Sequence, residues 1–163
     1  MYRIFEDNVK LCNSIEEETI QRIVENIENF GVSIDHLWLL QTIIKPKRLE
    51  KPLPRTQALV MKALISPKTT WCRKHLSLKV HEQRIKWLQQ DPDCQGEALQ
   101  IHICVFHVLT VCTEGRNTQA EARCQALLPL EDISRHLELL HDNYSIKGPL
   151  TDLLFHVYLD TQD

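Results

Sequence analysis

Apolar residues in this chain recur at intervals of three and four, and most of the runs they mark are closed by a helix-stopping residue. Ile20, Ile23, Val24 and Ile27 form one stripe, with Glu16, Glu18, Gln21, Glu25 and Glu28 turned elsewhere. Ser14 and Glu17 stand at capping-box spacing before it and Gly31 just past its end, which predicts a helix over 15–30. A shorter helix, about 3–11, presents Ile4, Phe5 and Val9. Ser33 is placed to cap the next, whose stripe is Leu37, Leu40, Ile43 and Ile44 and which Pro46 must end. Residues 45–55, with Pro46, Pro52, Pro54 and five basic side chains, read as an exposed connector. Pro54 suits the first turn of a helix that buries Ala58, Met61, Leu64 and Ile65 before Ser66-Pro67 breaks it.

The pattern loosens over 68–81. Leu76, Leu78 and Val80 alternate as in a strand, yet no second alternating run exists to pair with them, so an irregular connection is expected there. A short helix over 82–90 turns Ile85 and Leu88 inward and ends at Asp91-Pro92-Asp93. Residues 97–112 are apolar on nearly all sides, through Leu99, Ile101, Ile103, Val105, Phe106, Val108 and Leu109, which puts that helix at the centre of the packing with Gly115 as its stop. Asn117 or Thr118 caps a helix to about Ala126. Pro129 opens one carrying Ile133, Leu137 and Leu140, and Gly148-Pro149 opens the last, with Leu150, Leu153, Leu154 and Val157. The expectation is an all-α fold, an α-solenoid of antiparallel helix pairs in which each pair buries its face against the next. Along it, 1–65 holds the first helices, 66–96 a basic irregular connector and short helix, and 97–163 the central and C-terminal helices, all in one segment of 163 residues.

With 43% apolar residues the chain can fill a substantial core, and no apolar run reaches the roughly 18 residues that span a bilayer. Residues 1–7 lack the apolar core of a signal peptide, so the chain reads as cytosolic in character. Six cysteines at irregular intervals, with Cys12, Cys104, Cys112 and Cys124 in apolar surroundings, read as small buried hydrophobes of a reducing compartment. In that setting the Asn143-Tyr144-Ser145 sequon would go unused. The net charge of −3 hides a segmented distribution: 3 basic against 8 acidic side chains over 1–44, 12 against 2 over 45–87, and 4 against 12 over 88–163. Such a basic belt is a solvated face, an intramolecular charge match, or a docking surface for a phosphate or an acidic partner.

Eight histidines and six cysteines invite a metal hypothesis, but no CxxC or HxxxH pair is present to seed a tetrahedral site. Cys104 and His107 share a helix face; His102 and His107, like His136 and His141, diverge. No nucleophile context such as GxSxG occurs, and none of the 4 glycines lies in a phosphate-cradling loop. No catalytic, cofactor-binding or metal-ligating residue is therefore named, no cofactor is expected, and an enzyme is not expected. The basic stretch from Trp71-Cys72-Arg73-Lys74-His75 through Arg84-Ile85-Lys86-Trp87 sets aromatics beside cations. Such a stretch can serve as a calmodulin-type target or an anionic-lipid contact. Its helical stripe is poor, however, so it reads first as a basic surface whose tryptophans pack inward, and no nucleic-acid reading module matches it.

One stretch is more specific. Val111-Cys112-Thr113-Glu114-Gly115-Arg116-Asn117, followed by Cys124 and by Leu127-Leu128-Pro129-Leu130-Glu131-Asp132-Ile133, resembles the signature of inositol trisphosphate receptors. Ile4-Phe5, Asn8, Leu11-Cys12, Leu40-Gln41-Thr42-Ile43 and Val60-Met61 follow the same family's order, while 45–81 departs from it. Ryanodine receptors share a similar Leu-Pro-Leu-Glu-Asp element and are the second family in likeness. The resemblance implies an armadillo-like segment of a tetrameric calcium-release channel, on the cytosolic face of the endoplasmic reticulum membrane. Such a segment transmits ligand-induced motion between ligand-binding and pore regions that lie elsewhere in the parent, and its partners are the other domains and subunits. A free-standing helical adaptor that recruits an acidic protein through the basic belt is the alternative of another class.

Overall fold

The computed structural model describes residues 3–91, 96–140 and 144–160, and among these it shows eleven α-helices and no strand. They are α1 (Arg3–Glu6), α2 (Val9–Ser14), α3 (Glu17–Phe30), α4 (Ile34–Ile44), α5 (Pro54–Leu64) and α6 (Trp71–Leu76). There follow α7 (Leu78–Gln90), α8 (Glu97–Thr113), α9 (Thr118–Leu127), α10 (Leu130–Glu138) and α11 (Tyr144–Leu154), which runs into a π-helical turn, Phe155–Leu159. Among the described residues no helix is long and apolar enough to cross a membrane.

The helix without a polar face takes the centre. α8 packs against α4, α5, α6, α7, α9 and α11, and Leu99, Val105, Phe106, Val108, Leu109 and Cys112 along it are buried. Around this hub α3 lies on α5, α5 on α9, and α10 on α7 and α11. The predicted stripes of α3 and α4 are largely in the core: Ile20, Val24 and Ile27, then Leu37, Leu40, Ile43 and Ile44. Ile23 is only half-buried. Local punctuation holds in four places. Ser33 accepts from His36 N, Pro54 is the first residue of α5, and Gly31 has φ +96. Asn117 caps α9. Cys12, Cys72, Cys104, Cys112 and Cys124 are buried free thiols; Cys94 lies outside the described residues, as do Asn143 of the sequon, Pro92-Asp93 and His141.

Six expectations fail, each for a physical reason. The single helix over 3–11 is two, because the Asn8 side chain accepts from Leu11 N at 3.0 Å and so starts α2. Ser14 is then the last residue of α2, donating to Leu11 O at 3.2 Å, and α3 begins after Glu16 with no side-chain cap. In α5 the buried face is rotated toward Thr56, Gln57 and Val60, while Ala58 and Ile65 are only half-buried.

The irregular stretch over 68–81 is instead α6 and the start of α7, hinged at Ser77, whose hydroxyl accepts from Val80 N. A residue far away completes α6. Glu28 of α3 accepts from Thr70 N at 2.7 Å, from Trp71 N at 3.1 Å and from the Thr70 hydroxyl, so its carboxylate, held below its usual range by those bonds, closes the helix start.

Gly148-Pro149 does not open the last helix either; both lie inside α11. A proline there forfeits one helical bond, a loss of about 3 kcal/mol. Burial of Ile146 ahead of it and of Leu150 and Leu153 after it offsets that loss. The connector expected over 45–55 ends where α5 begins at Pro54 and is exposed only in part, since Pro46 and Pro52 are buried.

Candidate functional site: the α8–α9 turn and a buried histidine cluster

The carbonyls at the end of a buried helix need partners that water cannot supply. At the end of α8 those partners come from α5. Gln57, 2% exposed, donates its amide to Val111 O at 2.9 Å and to Glu114 O at 2.7 Å. Its oxygen accepts from Asn117 Nδ2 at 2.9 Å. Asn117 Nδ2 also donates to Pro54 O at 3.2 Å, and Asn117 Oδ1 accepts from Ala120 N at 3.2 Å to cap α9. Two side-chain amides, their donors both used, thus clasp the start of α5, the end of α8 and the start of α9.

The turn between them is tight. Gly115 has φ +86 and Arg116 φ +62, two successive residues in the left-handed region. Arg116 reaches Asp160, at the end of the C-terminal π turn, with Nε at 3.1 Å and a terminal nitrogen at 2.9 Å. Glu114 meets Lys45, just past α4, at 2.6 Å. The stretch singled out in the sequence, 111–117, is therefore where α4, α5, α8, α9 and the C-terminal helix are tied together.

The basic belt resolves into two halves. In the first, Lys45, Lys47, Arg48 and Lys62 pair with Glu114, Glu6, Asp7 and Glu17, and Arg55 donates to Asn13 O and Ile15 O. Arg73 closes the end of α5 by donating to Ile65 O, Ser66 O and Thr69 O. These six cations are thus engaged within the molecule, four by carboxylates and two by main-chain carbonyls.

Sequence spacing gave no sign of a second cluster. His81 of α7, His102 of α8 and His136 of α10 are all fully buried around Phe106, whose ring meets each of them edge-on at centroid distances of 6.2, 5.0 and 5.9 Å. His81 Nε2 donates to His136 O at 3.0 Å, so His81 Nδ1 is the acceptor of the 2.9 Å bond from His102 Nε2. His102 Nδ1 is left buried without a partner. His136 sets both ring nitrogens against carbonyls, Asp132 O at 2.5 Å and Leu76 O at 3.0 Å.

Burial, followed by the neighbouring imidazoles, pushes His81 down to about 4 and His102 down to about 3; burial also lowers His136. The nitrogens bond to one another and to the main chain instead of converging on a point. Among the described residues no group of His, Cys, Asp or Glu is arranged to hold a metal ion. Cys104 and His107 do share a face and line a cleft with Trp38, but His102 is turned into the core.

Burial pushes the thiol of Cys72 up to about 12 and also raises those of Cys112 and Cys124. None is a poised nucleophile. The arrangement as a whole ties helices together.

No family model matches the chain. It is 24% identical over 164 residues to the inositol 1,4,5-trisphosphate receptor itr-1 of Caenorhabditis elegans, an alignment that covers 97% of this chain and 6% of the receptor. The chain is thus distantly homologous to one region of an inositol trisphosphate receptor, of which it spans a small fraction.

Proposed function

We propose that the chain is a non-catalytic helical segment of an inositol trisphosphate receptor-like calcium-release channel, relaying conformational change between its ligand-binding and channel regions. The observation that carries this reading is the junction at 111–117, because the stretch that most resembles the receptors is also where five parts of the fold are tied together. Elements joined through one polar clasp move together or break it, which is what a relay between distant sites requires. On this reading the segment is one armadillo-like unit of helix pairs, held with three other subunits at the cytosolic face of the endoplasmic reticulum membrane. Ligand recognition and ion conduction belong to other parts of the parent.

Recognition and relay are separable by calorimetry of inositol trisphosphate with the chain at two salt concentrations. The cations of 45–62 are largely engaged in ion pairs or on carbonyls, and no helix start is seen to gather them around a phosphate. Weak heat that fades as salt rises is expected, since exposed charges are screened over about 8 Å at physiological ionic strength. Saturable, stoichiometric, salt-insensitive binding would make the segment a recognition module instead.

A further inference from the structure

The second half of the basic belt lacks the internal partners that satisfy the first. Among the described residues, Lys74, Lys79, Arg84 and Lys86 on α6 and α7 meet no carboxylate, and Glu82 is the one acidic side chain on the two helices. Their placement is ordered. At 3.6 residues per turn α7 presents Arg84, then Trp87, then Gln83, then the row of Lys79 and Lys86, with Glu82 on the flank beyond; His81, Ile85 and Leu88 face the core. The Arg84 guanidinium lies over the half-buried Trp87 ring at 4.2 Å, and its Nε is buried without a hydrogen-bond partner. His75 of α6, held below its usual range by burial and then by the charges of Arg84 and Lys74, likewise has Nδ1 buried without one. A half-buried guanidinium fixed over an indole, with no carboxylate paired to it among the described residues, is placed to receive one from outside.

We propose that the α6–α7 face is a docking surface for an acidic polypeptide segment, whose carboxylates engage Arg84 and then the Lys79–Lys86 row across the Trp87 ring. Two observations favour a peptide over other polyanions. The exposed large apolar residues, Ile4, Leu11, Phe30, Trp38, Leu130, Phe155 and Leu159, all lie off α6 and α7, so the face has no anchor to insert into a bilayer. Trp87 is its one accessible aromatic, which provides no stacking platform for successive bases. The inference rests on charge and geometry alone and stands whether or not the chain acts as a relay.

The test is fluorescence anisotropy of a labelled decaglutamate peptide against the 163-residue chain at 20 and 200 mM salt. Two double variants each remove two exposed cations: Lys79→Gln with Lys86→Gln on the proposed face, and Lys47→Gln with Arg48→Gln on the internally matched half. The expectation is salt-sensitive binding at 20 mM that the first pair weakens tenfold or more and the second less than twofold. Arg84→Lys, which keeps the charge and loses the fork, should weaken it by at least threefold while the circular dichroism spectrum is unchanged. Absence of binding at 20 mM salt, equal loss in the two double variants, or tighter binding of phosphatidylserine-containing vesicles or of a dT20 oligonucleotide through the same lysines would overturn the proposal.

Discussion

Acid should unfold this protein through its histidine cluster, and the size of the effect follows from where the rings sit. In the native state His81 and His102 stay neutral down to about 4 and about 3, because burial disfavours the cation. The ionisable groups facing them offer little relief: His75 of α6, Arg84 of α7 and His136 of α10 are neutral or positive, and the Asp132 carboxylate lies nearest to His136. In the unfolded chain both rings return to an ordinary pKa near 6.5. The unfolded state then binds more protons over that interval, so stability rises with pH: the contribution is complete above 6.5 and is lost as pH falls toward the native values. Between pH 7 and pH 5 each ring accounts for about 2 kcal/mol, or about 4 kcal/mol for the pair. Urea melts at pH 7, 6 and 5 measure this directly. His102→Gln keeps a donor for His81 Nδ1 without a titrating ring and should remove about half of the pH dependence. An unfolding free energy at pH 5 within about 1 kcal/mol of that at pH 7 would mean that the rings titrate alike in both states, and the cluster would not be buried as described.

Phe106→Ala should cost about 3–5 kcal/mol in denaturant melts, since the ring is fully buried against three imidazoles; a change within about 0.5 kcal/mol would place it elsewhere. Gly115→Val should destabilise by more than about 1 kcal/mol through its φ of +86 alone, because an added Cβ meets nothing within 4 Å. Glu114→Gln, which loosens a partly exposed ion pair, should cost less, and equal effects would mean a different turn geometry. Gln57→Ala leaves Val111 O and Glu114 O without their donor and should cost about 1–3 kcal/mol. Combining it with Asn117→Ala in a double-mutant cycle should reveal at least about 0.5 kcal/mol of coupling, whereas strict additivity would show that the two amides do not act as a unit.

What was legible in the sequence was local. Ser33, Pro54, Asn117 and Gly31 act through their own dihedrals and nearest backbone groups, so their roles can be read a few residues at a time. The centrality of α8 was legible for a similar reason, since a helix without a polar face has no alternative to burial. What failed depended on distant residues. α6 begins on the carboxylate of Glu28, over forty positions earlier, and the alternation of Leu76, Leu78 and Val80 reflects a hinge at Ser77 rather than a strand. The histidine cluster joins positions 81, 102 and 136, and only the packing of α7 and α10 near one end of α8 brings them together. Gln57 is not one of the apolar residues that mark its helix, and its value lies in the carbonyls of a turn over fifty residues away. The clasp lies in the stretch 111–117 that carries the resemblance, and the sequence of that stretch alone does not show the partner residue on α5.

Calcium release from a full-length receptor carrying this segment tests the central claim most directly, with Gln57→Ala opening the clasp and ligand affinity measured in parallel on the isolated N-terminal ligand-binding part. The relay account predicts a shifted dependence of release on inositol trisphosphate with unchanged affinity at the isolated part. Release indistinguishable from the parent receptor, in a variant shown by denaturant melts of this segment to have lost the clasp, would contradict it.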